Sequence, residues 1–135
     1  MRSILLIPFV AAGILVSGCG HKREVRDFAA ELRTASSEIS EGIDANPFAD
    51  GSVKEYRDVM TKHQFLMEKW AKLKAARLSA AEKDELLTVV VDCRGDIRTT
   101  ANKYLARQHE DPVFGQAVYW VQKDFESHFD PTEVH

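Results

Sequence analysis

From Lys22 to Phe129, apolar side chains recur every three or four residues in segment after segment, a period that argues for amphipathic helices and against strands. The first segment, Lys22 to about Glu41, places Val25, Phe28, Ala29, Leu32, Ala35, Ser36 and Ile39 on one face, with Gly42 as its expected stop. The connection 43–51 contains Asn46-Pro47 and Asp50-Gly51, both turn signals, and Phe48 within it is expected to plug the end of the core.

Ser52-Val53-Lys54-Glu55 reads as a capping box opening a long second helix. Its stripe is Val53, Tyr56, Met60, His63, Met67 and Trp70, flanked by Val59, Leu66 and Leu73. A second capping box, Ser79-Ala80-Ala81-Glu82, follows almost at once, so helices two and three are expected to run antiparallel. Helix three carries Leu86, Val90, Cys93, Ile97, Ala101 and Tyr104 inward to about Ala106, with Leu87, Val89 and Val91 broadening the stripe. Asp111-Pro112 opens helix four as N-cap and first-turn proline. Phe114, Ala117, Val118, Val121, Phe125 and Phe129 face inward, and Asp130-Pro131 ends it. The expected fold is all-α: an antiparallel up-down four-helix bundle over residues 22–130, with 131–135 as a tail.

The N-terminus limits where such a bundle would work. Arg2 precedes an apolar run from Ile4 to Val16, which is shorter than the roughly 20 residues that span a bilayer but matches the h-region of a secretory signal. The run ends in Val16-Ser17-Gly18-Cys19, an aliphatic residue, two small residues and a cysteine. Residues 1–19 thereby resemble the signal peptides of bacterial lipoproteins with their lipobox. The resemblance implies export, a diacylglyceryl (and usually a further acyl) group on Cys19, and cleavage of residues 1–18. Each buried CH₂ contributes about 0.8 kcal/mol, so two or three chains make a stable anchor. Gly20 stands where aspartate commonly retains such lipoproteins in the inner membrane, which favours the periplasmic face of the outer membrane in a Gram-negative host.

Removing 18 of the 135 residues leaves 117, one domain's worth. Of 18 Lys and Arg against 21 Asp and Glu, only Arg2 lies in the removed segment, so the net charge falls from -3 to -4 and gives no reason to expect nucleic-acid binding. With Cys19 acylated, Cys93 is the one thiol left, and a disulfide scaffold is excluded. On its apolar stripe Cys93 is expected to be an inert core residue, with dimerisation through an exposed thiol as the alternative. Residues 19–21 form a tether reaching only ~10 Å. That length sets His21, Lys22 and Arg23 near anionic headgroups, a contact of about 1 kcal/mol per basic residue, or leaves them simply solvated at a helix start.

Candidate chemistry is sparse. Met60, His63 and Met67 share a helical face and read first as core-filling methionines beside a hydrogen-bonded histidine, with a Cu(I) or haem-iron site as the alternative. His128 is expected near the start of helix three, and His109 and Glu110 in a solvated loop. No Cys-x-x-Cys-His, His-Glu-x-x-His, Gly-x-Ser-x-Gly or phosphate-cradling glycine loop occurs. Arg94-Gly95-Asp96 spells an adhesion tripeptide but falls inside a helix rather than on a loop, and Gly95 there suggests a close helix approach or a bend. The sequence thus points to a non-enzymatic, membrane-anchored envelope lipoprotein without a cofactor other than its lipid, acting through contacts with an envelope protein. Tyr56, Tyr119 and Trp120 are its candidate partner surface, and a metal- or haem-binding bundle is the alternative.

Overall fold

The computed structural model describes residues 20–46, 48–107 and 109–135. The signal segment, the lipobox and Cys19 lie outside the described residues. Among these, the chain forms five α-helices and no strand: α1 (Lys22–Ala45), α2 (Ala49–Lys62), α3 (Phe65–Ala75), α4 (Ala80–Leu105) and α5 (Pro112–His128), followed by a 3₁₀ turn at Pro131–Glu133. None of these helices is long and apolar enough to cross a membrane.

Two helix starts follow their local sequence. At α4 the Ser79 Oγ accepts from the Glu82 N–H at 3.2 Å and the Glu82 carboxylate accepts from the Ser79 N–H at 2.9 Å, a complete capping box. At α5 the Asp111 carboxylate accepts from the Phe114 N–H at 3.0 Å, with Pro112 in the first turn where no N–H is needed.

The junction of α1 and α2 departs from expectation. Helix α1 runs through Gly42 to Ala45; Gly42 is buried, and a Cβ there would collide with the Glu55 side chain of α2. Its glycine serves a close helix approach, not a stop. Asn46 ends α1 instead, donating from both its backbone and its side chain to the Gly42 carbonyl. Helix α2 starts at Ala49, so Ser52 and Glu55 form no capping box. Ser52 is buried in the first turn and donates back to the Ala49 carbonyl at 3.0 Å. Phe48 is 75% exposed and plugs nothing.

The expected second helix is two helices. At His63 and Gln64 the ladder tightens, with Gln64 N–H bonding Thr61 O and Leu66 N–H bonding His63 O. The first half packs on both α1 and α5, the second half chiefly on α1, with Trp70 meeting Phe129 just past α5. The buried seam through both halves is Tyr56, Val59, His63, Leu66, Trp70 and Leu73. Met60 and Met67 are only half-buried beside it, which corrects the stripe that the sequence suggested. Two registers share Tyr56, His63 and Trp70. The one that also buries Val59, Leu66 and Leu73 faces the core, and the flexible methionines are left at its edge.

Directions follow from cross-helix pairs. Glu38 meets Lys62 at 2.7 Å and Phe28 stacks on Trp70 with ring centres 5.7 Å apart, so α1 runs opposite to α2 and α3. Arg33 faces Asp92 and Tyr104 donates to Asp44, so α1 and α4 run the same way along the largest interface. Helices α4 and α5 are opposed, with Arg98 on Glu126 and Tyr104 edge-on to Phe114. Helices α3 and α4 also run in opposite directions, but they make no substantial packing contact despite the short connection 76–79.

One core results, built by all five helices. Phe28, Trp70, Phe125 and Phe129 form an aromatic cluster near the start of α1, and each fully buried ring of this kind contributes about 1.5–3 kcal/mol. Cys93 is buried there too, and burial pushes its thiol up from the ordinary value. Val91 is exposed and adds nothing to the core stripe of α4. Gly95 explains neither a bend nor a close approach: α4 is continuous and a Cβ would meet nothing within 4 Å. Beyond α5, Val134 packs back against the core and Glu133 pairs with Lys74, so the C-terminal residues are docked.

Candidate functional site

Two surface grooves lie along one seam, between α2 and α5, which run parallel there. Along α2 and into α3 the residues at its edge are Val53, Arg57, Met60 and Met67; along α5 they are Val113, Ala117, Trp120, Asp124 and His128. Three-and-four spacing on each side aligns these rows once the core seam has taken the neighbouring positions. The upper part, about 800 Å³, runs from Ala49 and Val113 to Arg57 and Trp120. A lower part of about 590 Å³ continues from Trp120 to Met67 and His128.

Trp120 divides the two. Its ring lies under the Arg57 guanidinium at 5.5 Å and meets the Tyr56 ring edge-on at 5.7 Å. Tyr56 itself is only 2% exposed, and its hydroxyl donates to Asp124 Oδ2 at 2.6 Å. Burial, then the Asp124 carboxylate, push that hydroxyl far above the ordinary tyrosine value, so it stays a donor. The same Asp124 oxygen lies 3.3 Å from His128 Nε2.

Tyr56 is therefore a structural element behind the groove, not an exposed partner residue. Tyr119 and Trp120 are both exposed, at 51% and 41%; Lys123 lies over the Tyr119 ring. Helix α5 covers less of this face than its apolar content suggests. Val113, at 67% exposed, and Phe48, just before Ala49, extend the apolar surface.

The proposed set of Met60, His63 and Met67 is not brought together. His63 turns to α1, where Nδ1 is 3.5 Å from Glu31 and Nε2 is 3.3 Å from Glu38. Glu31 also holds Lys69, and Glu38 holds Lys62. For Glu31, burial opposes ionisation but Lys69 and His63 outweigh it; for Glu38, the Lys62 hydrogen bond dominates, and both carboxyls sit below their ordinary value. Met60 and Met67 instead share the lower groove with His128, which faces α2 and α3 rather than the start of α4. Among the described residues no three His, Cys, Asp or Glu side chains converge as a metal-binding group.

At the start of α1, Lys22 and Arg23 are exposed, with Arg23 3.9 Å from Asp27, while His21 is half-buried with Nδ1 3.5 Å from Glu24. His109 and Glu110 are exposed in the connection before α5. Arg94 is a residue that sequence reading missed. It lies within α4, and one guanidinium nitrogen donates to the Glu126 and Phe129 carbonyls, both at 2.7 Å, satisfying the end of α5. Nothing local marks it, because its acceptors are on another helix. Asp124 and His128 carry a weak signal, an acid and a histidine four apart, but their groove partners are remote in sequence.

No family model matches this chain, nor does any curated protein or solved structure.

Proposed function

We propose that the protein is an envelope lipoprotein, acylated on Cys19 after removal of residues 1–18, that works without catalysis by binding an envelope protein along the α2–α5 groove. In this reading α2 and α3 act as one interrupted rod, so the domain is an up-down four-helix bundle held at the periplasmic face of the outer membrane. His21, Lys22 and Arg23 lie at the anchored end, against the headgroups. The observation that carries the binding role is the apolar surface at the upper groove: Val113 and Trp120 remain exposed along a channel of about 800 Å³. Apolar side chains clustered at a groove are a common mark of protein contact.

Geometry supports a partner held away from the anchor. The 24 residues of α1 span ~36 Å, and the upper groove lies at the end opposite its start. A photo-crosslinking residue at Val113, placed in the living cell, should trap one discrete protein, whereas the same residue at Thr99 on α4 should trap none. Mass spectrometry of the processed chain should find acyl groups on Cys19, and Cys19→Ala should release the protein from membranes. Equal adducts at both positions, or lipid alone at Val113, would end the binding reading; an unmodified Cys19 would end the anchor.

A further inference from the structure

The lower groove has a chemistry that partner binding does not require. Met60 and Met67 sit beside the core seam, half-buried, and open into a space shared with the imidazole of His128 and walled by Trp120. A methionine that merely fills a core gap is enclosed by carbon. These two methionines line a cleft together with a histidine.

His128 is oriented by its neighbours. Its Nε2 lies 3.3 Å from Asp124 Oδ2, and that oxygen is already fixed by the Tyr56 hydroxyl at 2.6 Å. With Asp124 at Nε2, Nδ1 is the ring nitrogen left for an ion, the arrangement in which carboxylates orient metal-binding histidines. Met60 and Met67 are seven residues apart, a rise of ~10 Å on a straight helix, and the break at His63 and Gln64 lies between them. Their flexible arms can approach each other from above and below, with α5 alongside.

We propose that Met60, Met67 and His128 form a binding site for a soft monovalent cation, Cu(I) in the first place. Two thioethers and one imidazole are the donors that select Cu(I) over Zn²⁺, Mg²⁺ or Ca²⁺, which prefer thiolate, additional imidazole or oxygen. Asp124 and Tyr56 position the imidazole and do not bind the ion. Trp120 walls the site, with the Arg57 guanidinium over its ring at 5.5 Å. His63, engaged by Glu31 and Glu38, takes no part. Binding is simple association of the reduced ion and involves no electron transfer.

The test titrates the full chain with Cu(I) against a chromogenic Cu(I) chelator under reducing conditions, with Ag(I) as a redox-inert check. One equivalent should bind and quench tryptophan fluorescence, and Trp120→Phe should reduce the quenching, leaving the part that comes from the buried Trp70. The pair Met60→Leu and Met67→Leu, a volume-conserving change, should weaken binding at least tenfold. His128→Gln should do likewise, while His63→Gln should leave the affinity unchanged. Helicity measured by circular dichroism checks each variant, and His128→Gln decides the matter should the leucine pair fail to fold. Failure of the parent to retain one equivalent, or equal affinity after both His128→Gln and the leucine changes, overturns the site. Neither result bears on crosslinking at Val113.

Discussion

Gly95 stands in the middle of α4 with its missing side chain facing solvent, and nothing within 4 Å needs the space. Mid-helix glycine costs about 1 kcal/mol relative to alanine. Gly95→Ala should therefore raise thermal stability by about that amount, a shift of a few degrees in Tm by calorimetry; an unchanged or lower Tm would mean that the glycine serves something beyond the packing described. Gly42 is the opposite case. The same substitution there forces Glu55 away and should destabilise. Two glycines, both inside helices, thus differ entirely in what surrounds them, and no local pattern separates them. Arg94 makes the same point for charge, since its role as a cap for α5 depends on carbonyls more than thirty residues away.

The two serine-led capping signals divide in the same way at the level of the helix. Ser79 completes its box, whereas Ser52 sits inside a helix that began at Ala49. Ser79→Ala should cost about 1 kcal/mol in denaturant unfolding. Ser52→Ala should cost less than about 0.5 kcal/mol, because its hydroxyl only returns to a carbonyl of the preceding turn. Equal losses would show that Ser52 caps α2 after all. The break between α2 and α3 has no glycine or proline to announce it. It occurs where His63 is drawn to Glu31 and Glu38 while α2 leans toward α5 and α3 does not. A kink of this origin belongs to the contacts, not to the segment.

Across the whole molecule, charge ties the helices together at a few buried points. Glu126 on α5 accepts from Arg98 at 2.7 and 3.1 Å and from Gln122 at 3.0 Å, with Arg94 close by. Burial opposes its ionisation, but Arg98, Gln122 and Arg94 together hold its carboxyl below the ordinary 4.5. Glu31 and Glu38 are lowered as well. A carboxyl whose folded value lies below its unfolded one contributes stability above the unfolded value and loses it as pH falls through the folded one. The denaturation midpoint should hold steady from neutrality to about pH 5 and drop as pH falls below about 4.5. A midpoint constant down to about pH 3 would show that these three carboxylates do not stabilise the fold.

Sequence alone was enough to show that the chain is helical, where α4 and α5 begin, and most of what the core contains: the buried faces of α1 and α5 match the periodic residues, Val25 to Ile39 and Phe114 to Phe129, except Ala117, which is half-buried at the groove. Those properties are local, set by spacing and capping within a few residues. Tertiary structure decided which of two overlapping registers in α2 and α3 is buried, and so put Met60 and Met67 at a groove edge instead of in the core. It also gave His63 to α1 and His128 to the groove, and it set α4 beside α1 and α5 with no substantial contact to α3. These outcomes depend on which faces meet, and that depends on volumes and charges brought together from distant parts of the chain. The candidate site lies where two helices meet, and for that physical reason its residues could be named from sequence only in part.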